Sequence, residues 1–167
     1  DVVTTFEKAG VNALPVVALI SFLVGLIISF QAAIPMRQFG VEIFVVNLLT
    51  IAVLRELGVF MTALVLSGRS GSAFAAEIGT MKVSEEIDAL QVMGLNPTKF
   101  LIVPKVLAML LALPCLTLLA MFIMIFGGYA LSTVVLGVDP HVYLTQTADA
   151  LQLKDFVTGI VKSVFFA

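Results

Sequence analysis

The 167-residue chain is apolar and nearly neutral: 60% of its residues are hydrophobic, 12% are charged, and the formal net charge is −2. Soluble domains carry about 25% charged residues, so the low charge and the mean hydropathy of +1.15 exclude a soluble domain and predict a lipid-exposed surface. The small net charge argues against nucleic-acid binding, and single Cys115 and His141 residues argue against an intrachain disulfide or a metal site.

The first apolar run covers residues 13–34 and carries no charged side chain, which predicts a membrane-spanning helix. Gln31 is its one strongly polar side chain. Pro35 and the polar residues that follow it predict a break in the helix and a short loop up to Gly40.

The second apolar run predicts a helix over residues 43–79, longer than the hydrocarbon core, so it should tilt or protrude. Arg55 and Glu56 lie near its centre. A charge within a span costs at least about 2.5 kcal/mol, so intramembrane charges face a bundle interior or a water-filled cavity. Neighbours on a helix point about 100° apart, so each charge needs its own partner. Two interpretations stay open: an ion-pair network that holds helices together, or a polar rim of a transport cavity.

Small residues recur at every fourth position in the last part of this predicted helix, at Gly71, Ala75 and Gly79. In lipid this spacing lets two helices approach closely, so we interpret the row as a helix-packing face. The glycine-containing string at 68–72 lacks the spacing of a phosphate-binding loop and is rejected as a nucleotide site.

The polar stretch that follows predicts a short amphipathic helix over residues 84–93. Ser84 is placed to cap it, Glu85 and Glu86 fall in its first turn, and Gly94 is placed to end it. Its apolar positions at helical spacing are Val83, Ile87, Leu90 and Met93. Such a helix either docks into the groove of a partner or packs on its own chain and the lipid headgroups.

Residues 101–136 are apolar and too long for one straight span. We favour one helix that begins outside the core, with kinks at Pro104 and Pro114, over a hairpin that turns at Gly127 and Gly128. A polar segment over 137–155 contains a turn at Asp139-Pro140. Residues 156–167 start a further span, which we expect to continue beyond Ala167 because a span needs about 20 residues.

Lysines gather before the first span and around residues 80–100, at Lys8, Lys82, Lys99 and Lys105. The positive-inside rule therefore predicts that both segments are cytoplasmic and that 137–155 faces outward. No catalytic triad, paired-carboxylate site or metal cluster is proposed from the sequence. The energy for any work must come from another chain or from a gradient.

The sequence resembles the MlaE/YrbE family of permease subunits, which belong to ABC transporters that move lipids together with MCE-domain proteins. The resemblance rests on residues 54–58 (Leu-Arg-Glu-Leu-Gly), 62–73, 76–81, 86–90, 92–94, Pro97, 103–105 (Val-Pro-Lys), Gly127-Gly128 and 162–164. One position departs from the family pattern, because Val59 stands where a proline usually follows Arg-Glu-Leu-Gly. That removes an expected kink.

The resemblance implies an all-α, polytopic membrane bundle over residues 1–167, of a five-span family whose last spans are absent from this chain. It implies a homodimer in the bacterial inner membrane with a cytoplasmic P-loop ATPase that binds the ATP, so this chain holds no cofactor. Helix 84–93 would be the helix that couples to the ATPase, through Ser84, Glu85, Glu86, Ile87, Asp88, Leu90 and Met93.

By the same resemblance, Arg55, Glu56 and Leu57 border a phospholipid cavity between protomers, Gln31 faces it, and an MCE-domain protein docks outside. Two further hypotheses come from other classes. One is a gradient-driven carrier or channel that uses Arg55 and Glu56, and the other is a membrane scaffold without transport activity.

Overall fold

The computed structural model describes residues 6–7, 10–41 and 44–167, and no strand occurs among them. Lys8 and Ile43, which two of the sequence predictions use, lie outside these residues. From Leu14 onward the helices are α1 (Leu14–Gln38), α2 (Phe44–Val83), α3 (Glu86–Val92), α4 (Thr98–Val134), α5 (Pro140–Ala150) and α6 (Leu153–Phe166). Within the described residues, α1, α2 and α4 are long and apolar enough to cross a membrane. The predicted all-α, polytopic membrane fold is confirmed.

Helix α1 continues through Pro35 to Gln38, so the predicted break at Pro35 is wrong. A proline in a helix removes one backbone hydrogen bond, but leaving the helix in lipid would expose several backbone groups, which costs more. The helix ends where Gly40 adopts a positive φ of 68° and its N–H bonds to the carbonyl of Arg37 at 3.3 Å.

Helices α1 and α4 form the centre of the bundle, and glycines bring their backbones together. A Cβ added to Gly25 would lie 2.1 Å from the carbonyl oxygen of Met124, and one added to Gly127 would lie 2.4 Å from that of Phe22. The buried face of α1 is a row at four-residue spacing: Val17, Ser21, Gly25, Ser29 and Ala33. Small residues in such a row allow the close contact that stabilises helix pairs in lipid.

Helix α4 is one continuous helix, and the hairpin at Gly127 and Gly128 does not form. These glycines instead provide room for neighbours: a Cβ on Gly128 would lie 2.1 Å from Leu49 Cδ2. Pro114 lies inside the helix, whereas Pro104 lies in its first regular turn, directly after a π-helical turn at Thr98–Ile102.

Helix α2 contains 40 residues and is about 60 Å long at 1.5 Å per residue, twice the hydrocarbon core. It ends at Val83, four residues beyond the predicted end. Two π-helical turns interrupt it, at Val53–Leu57 and Ser67–Gly71. The helix continues through the buried Val59, where the family pattern has proline.

The predicted polar segment 137–155 contains a helix that the sequence analysis did not identify. Helix α5 starts after Asp139, whose carboxylate accepts a hydrogen bond from the His141 N–H at 2.8 Å and caps the helix. Tyr143 is buried against α4 and donates a hydrogen bond to the Ile125 carbonyl at 3.0 Å. Helix α6 begins at Leu153, three residues before the predicted start of the last segment.

Candidate functional site

The two charged residues at the centre of α2 lie in its first π-helical turn, and each has a partner on α6. Arg55 Nε lies 3.7 Å from Asp155 Oδ1. Lys162 Nζ donates hydrogen bonds to Glu56 Oε1 and, at 3.2 Å, to the carbonyl oxygen of Arg55. We call these four residues the charged cluster. Because it contains two acids and two bases, its formal charge is zero, which lowers the cost of placing it in a membrane.

A glycine on α6 brings the two helices close enough for these contacts. A Cβ on Gly159 would lie 2.4 Å from the carbonyl oxygen of Leu54 and 2.7 Å from Met121 Cε. Asp155 and Lys162 lie four residues before and three residues after Gly159, so all three share the face of α6 that meets the π-helical turn. π-Helical turns occur frequently at functional sites, and this one carries both central charges.

The charged cluster has a protein-facing side and an open side. The Asp155 side chain is 16% exposed, whereas the Glu56 and Arg55 side chains are 66% and 56% exposed. The structure therefore contains the cross-helix ion pairs of the first interpretation. It also leaves the charged groups of Arg55 and Glu56 on the outer surface of this chain.

The other two predicted cavity residues, Leu57 and Gln31, have different surroundings. Leu57 is half-buried and packs on a core cluster formed by Leu49, Val53, Leu54, Val59, Met121 and Met124. Gln31 is exposed on α1, and in the described part of the chain no hydrogen bond joins it to Arg55 or Glu56. Asp155 and Lys162 were not among the site residues predicted from the sequence. Their spacing of seven residues, which places an acid and a base on one helix face, is the signal that was available.

The loop helix α3 starts at Glu86, and the prediction that Ser84 caps it is wrong. Ser84 instead ends α2, since its N–H and its hydroxyl both bond to the carbonyl of Thr80 at 2.9 Å. Glu85 then turns the chain with a left-handed φ of 60°. The reason is that α2 runs four residues farther than predicted and uses Ser84 as its own C-terminal residue.

The end of α3 is as predicted. Gly94 has a φ of 75°, its N–H bonds to the Gln91 carbonyl at 2.9 Å, and the Leu95 N–H bonds to the Leu90 carbonyl at 3.0 Å. These two hydrogen bonds form a Schellman motif, which ends a helix at a glycine.

The apolar residues of α3 do not share one exposed face. Ile87 and Leu90 are half-buried, whereas Val92 and Met93 at the end of the helix are exposed, Val92 by 89%, as is Val83, which ends α2. The acids of the helix serve local contacts: Asp88 Oδ1 lies 2.5 Å from Lys82 Nζ, and Glu86 Oε1 accepts from the Ser84 hydroxyl at 3.2 Å. The exposed apolar surface therefore lies toward the C-terminal end of α3.

The small-residue row of Gly71, Ala75 and Gly79 is exposed along its whole length. Apart from the neighbouring turns of α2 itself, no atom of the described chain lies within 4 Å of a Cβ added to Gly71 or Gly79. Its role in helix packing thus stays a prediction, for a contact with another chain. Among the described residues, no group of three or more His, Cys, Asp or Glu side chains is placed to hold a metal ion.

Apolar helices of spanning length and a charged cluster between two of the helices define a polytopic membrane protein. The family model described as Permease MlaE matches residues 2–167, so the chain belongs to the MlaE permease family. The sequence resemblance to this family is therefore confirmed.

Three relatives illustrate the range of similar proteins. A probable ABC transporter permease protein of Rickettsia typhi is 36% identical over 94% of this chain. The Arabidopsis thaliana chloroplastic protein TRIGALACTOSYLDIACYLGLYCEROL 1 is 38% identical over 96% of it. The intermembrane phospholipid transport system permease protein MlaE of Haemophilus influenzae is 33% identical over 95%. The chain spans 61%, 46% and 61% of the lengths of these relatives.

Proposed function

We propose that this chain is the membrane subunit of an ATP-driven transporter that moves phospholipids between membranes. In this proposal it forms a homodimer in the bacterial inner membrane, binds a separate ATPase on the cytoplasmic side and meets an MCE-domain protein on the opposite side. The class of cargo is supported by the Haemophilus influenzae relative, whose name describes a phospholipid transport permease.

The observation that carries the proposal is the exposed apolar surface of α3, a helix held between two spans. Helices α2 and α4 both exceed the thickness of the hydrocarbon core, so they carry α3 beyond the membrane. Lys82 and Lys99 flank α3, which supports a cytoplasmic position. Val92 and Met93 there offer apolar area for a protein partner to cover.

The charged cluster is the proposed cargo site. A phospholipid combines an anionic phosphate with apolar chains, and the cluster contains the cations Arg55 and Lys162 within largely apolar stretches of α2 and α6. In a two-fold symmetric dimer, the same surface of each protomer meets at the axis. A lipid between protomers would then contact two copies of this surface, with Gln31 at its border. Closure of the ATPase would move α3, and α2 would carry that movement to the cargo site.

A pair of matched valine substitutions tests the proposal. Val92 and Val134 are 89% and 83% exposed and lie at opposite ends of the bundle. Burying a valine contributes about 1.5–3 kcal/mol, and about 1.4 kcal/mol corresponds to a factor of ten in affinity. We therefore expect Val92→Asp to weaken retention of the ATPase by about tenfold or more. Val134→Asp should leave it unchanged.

The measurement is the amount of ATPase that co-purifies with the full-length permease, followed by ATP-dependent lipid movement in liposomes. Equal retention by both variants would contradict the assignment of α3 as the docking helix. Ile87 and Leu90 are less suitable test positions, because both are half-buried and their substitution would also disturb α3 itself.

The alternative class of function is a gradient-driven carrier, and the exposed carboxylate of Glu56 is the observation that favours it. The same liposomes separate the two classes. Lipid movement that needs an ion gradient, proceeds without ATP and is lost in Glu56→Gln would support the carrier. A scaffold would move lipid under neither condition.

A further inference from the structure

The last twelve residues of α2, Ser72–Val83, form an arm that no hydrophobic core of the described residues holds in place. None of these residues is buried, and none of the residues of α3 is buried either. The arm begins directly after the second π-helical turn, at Ser67–Gly71. Burial of apolar area is the main source of free energy that positions a helix in a protein. Since the arm buries none of its residues fully, its position must depend on a few specific contacts.

A cleft of about 260 Å³ separates the arm from the start of α4. It is lined by Phe74, Ile78, Ile102, Val106, Met109 and Ala167, with Lys105 as its one charged residue. The apolar side chains of the two helices face each other across this space without filling it. Dispersion contacts are lost across such a gap, so they contribute little to the alignment of the two helices.

One ion pair joins the two helices across the cleft. Lys105 Nζ lies 2.8 Å from Glu77 Oε2 and 5.2 Å from the centroid of the Phe74 ring. Among the described residues, no other ion pair or side-chain hydrogen bond connects the arm to α4. The Lys105 side chain is 11% exposed and that of Glu77 is 58% exposed. The Lys105 ammonium is therefore largely removed from water. Its interactions with the carboxylate and the ring face are stronger in this less polar surrounding than they would be in water.

A second ion pair attaches α3 to the same arm. Lys82 belongs to the arm, and its Nζ lies 2.5 Å from Asp88 Oδ1 in α3. The contacts thus connect α3 to the arm through Lys82 and Asp88, and the arm to α4 through Glu77 and Lys105. Without the ion pair between Glu77 and Lys105, a force on α3 would bend the arm at the π-helical turn instead of moving α2 and α4 together.

We propose that Glu77 and Lys105 are positioning residues for transport, whose ion pair keeps the α2 arm aligned with α4 so that movement of α3 reaches the cargo site. This inference rests on the proposed function. Neither residue contacts lipid or nucleotide in this role. The pair acts through α2, so its loss should reduce the lipid moved per ATP hydrolysed more than it reduces binding of the ATPase.

The test compares charge removal with charge exchange. Glu77→Gln and Lys105→Gln each remove one charge of the pair, and Glu77→Lys combined with Lys105→Glu exchanges the charges. Lys99→Gln is the control, since Lys99 lies on the same helix and forms no ion pair with any described residue. Each full-length variant is placed in liposomes with its ATPase, and ATP hydrolysis, lipid movement and retained ATPase are measured.

We expect each single variant to lower the lipid moved per ATP by about tenfold, within the usual range for coupling between two sites, with the amount of ATPase unchanged. The exchanged pair should recover most of this loss. Recovery should be incomplete because a carboxylate at position 105 would face the Phe74 ring, which favours cations. The Lys99→Gln control should behave as the unsubstituted protein.

Three results would overturn the inference. Single variants with an unchanged ratio would remove the positioning role, and so would an exchanged pair that recovers nothing. If the Gln variants accumulate too poorly to assay, Glu77→Ala takes their place, because it also removes the charge, and an unchanged ratio in that variant would do the same. An unsubstituted protein that moves no lipid on ATP hydrolysis would refute the proposed function as well, which distinguishes the two failures.

Discussion

The close approach of α6 to the first π-helical turn of α2 predicts the effect of one added methyl group. In Gly159→Ala the new Cβ would lie 2.4 Å from the carbonyl oxygen of Leu54, a residue that is 1% exposed. A backbone carbonyl in a buried turn cannot rotate away, so α6 must move outward. The Cβ would also lie 2.7 Å from Met121 Cε, but that methyl group ends a flexible side chain and can move.

The size of the effect follows from a comparison with a second glycine. Overpacking of this kind costs about 1–3 kcal/mol, while replacing glycine by alanine in a helix gains up to about 1 kcal/mol. Gly68 is also helical, and a Cβ added there would meet no described atom within 4 Å apart from the neighbouring turns of its own helix. The propensity gain is common to both substitutions. The difference in unfolding free energy between Gly159→Ala and Gly68→Ala should therefore be about 1–3 kcal/mol, with Gly159→Ala the less stable.

The assay is unfolding of the purified full-length protein in mixed micelles with increasing SDS, followed by circular dichroism. Because α6 carries Asp155 and Lys162, an outward shift should also weaken their contacts with Arg55 and Glu56 and lower the amount of co-purified phospholipid. If Gly159→Ala is as stable as Gly68→Ala and retains its lipid, then α6 does not pack on the π-helical turn as the structure has it.

Further predictions concern three other parts of the molecule. Burial raises the pKa of Tyr143 to about 12 from its ordinary value of 10.0. The stability that its neutral hydroxyl provides should therefore be complete below pH 10 and be lost as the pH rises toward 12, and Tyr143→Phe should abolish the ultraviolet tyrosinate signal that develops near pH 12. Lys162→Met leaves Glu56 without its partner and should reduce co-purified phospholipid more than Lys154→Met, a control on the same helix. Ala75→Leu, which places a large side chain in the exposed small-residue row, should decrease the dimer fraction in detergent, and an unchanged fraction would exclude that row from the dimer contact.

Local chemistry in the sequence determined the class of fold and several of its features. Long apolar runs with few charges require helices that bond all of their backbone groups internally, which predicted the membrane bundle. The charges at Arg55 and Glu56 require partners wherever they lie in an apolar run, and both have them. Gly94 ends α3 because a positive φ suits glycine, a property of the residue itself.

Features that depend on where helices end were predicted less well. Ser84 is a good N-terminal cap by residue type, but α2 extends to Val83 and takes Ser84 for its own end. Pro35 is a helix breaker by residue type, but the helix continues through it. At Pro35 the local penalty is about 3 kcal/mol, and the requirement to keep backbone groups bonded in lipid outweighs it. At Ser84 the N–H already bonds to the Thr80 carbonyl at the end of α2, so the residue does not start a new helix.

The partners of the central charges were decided by the tertiary structure alone. Lys162 lies 106 residues after Glu56 in the chain, and no local pattern links the two. Their contact depends on the register of α6 against α2, on the close approach at Gly159, and on the π-helical turn that orients both charges toward α6. The sequence by itself therefore determined that Arg55 and Glu56 must be paired. Only the packing of the helices, which sets distances between residues far apart in the chain, decided that Asp155 and Lys162 are the partners.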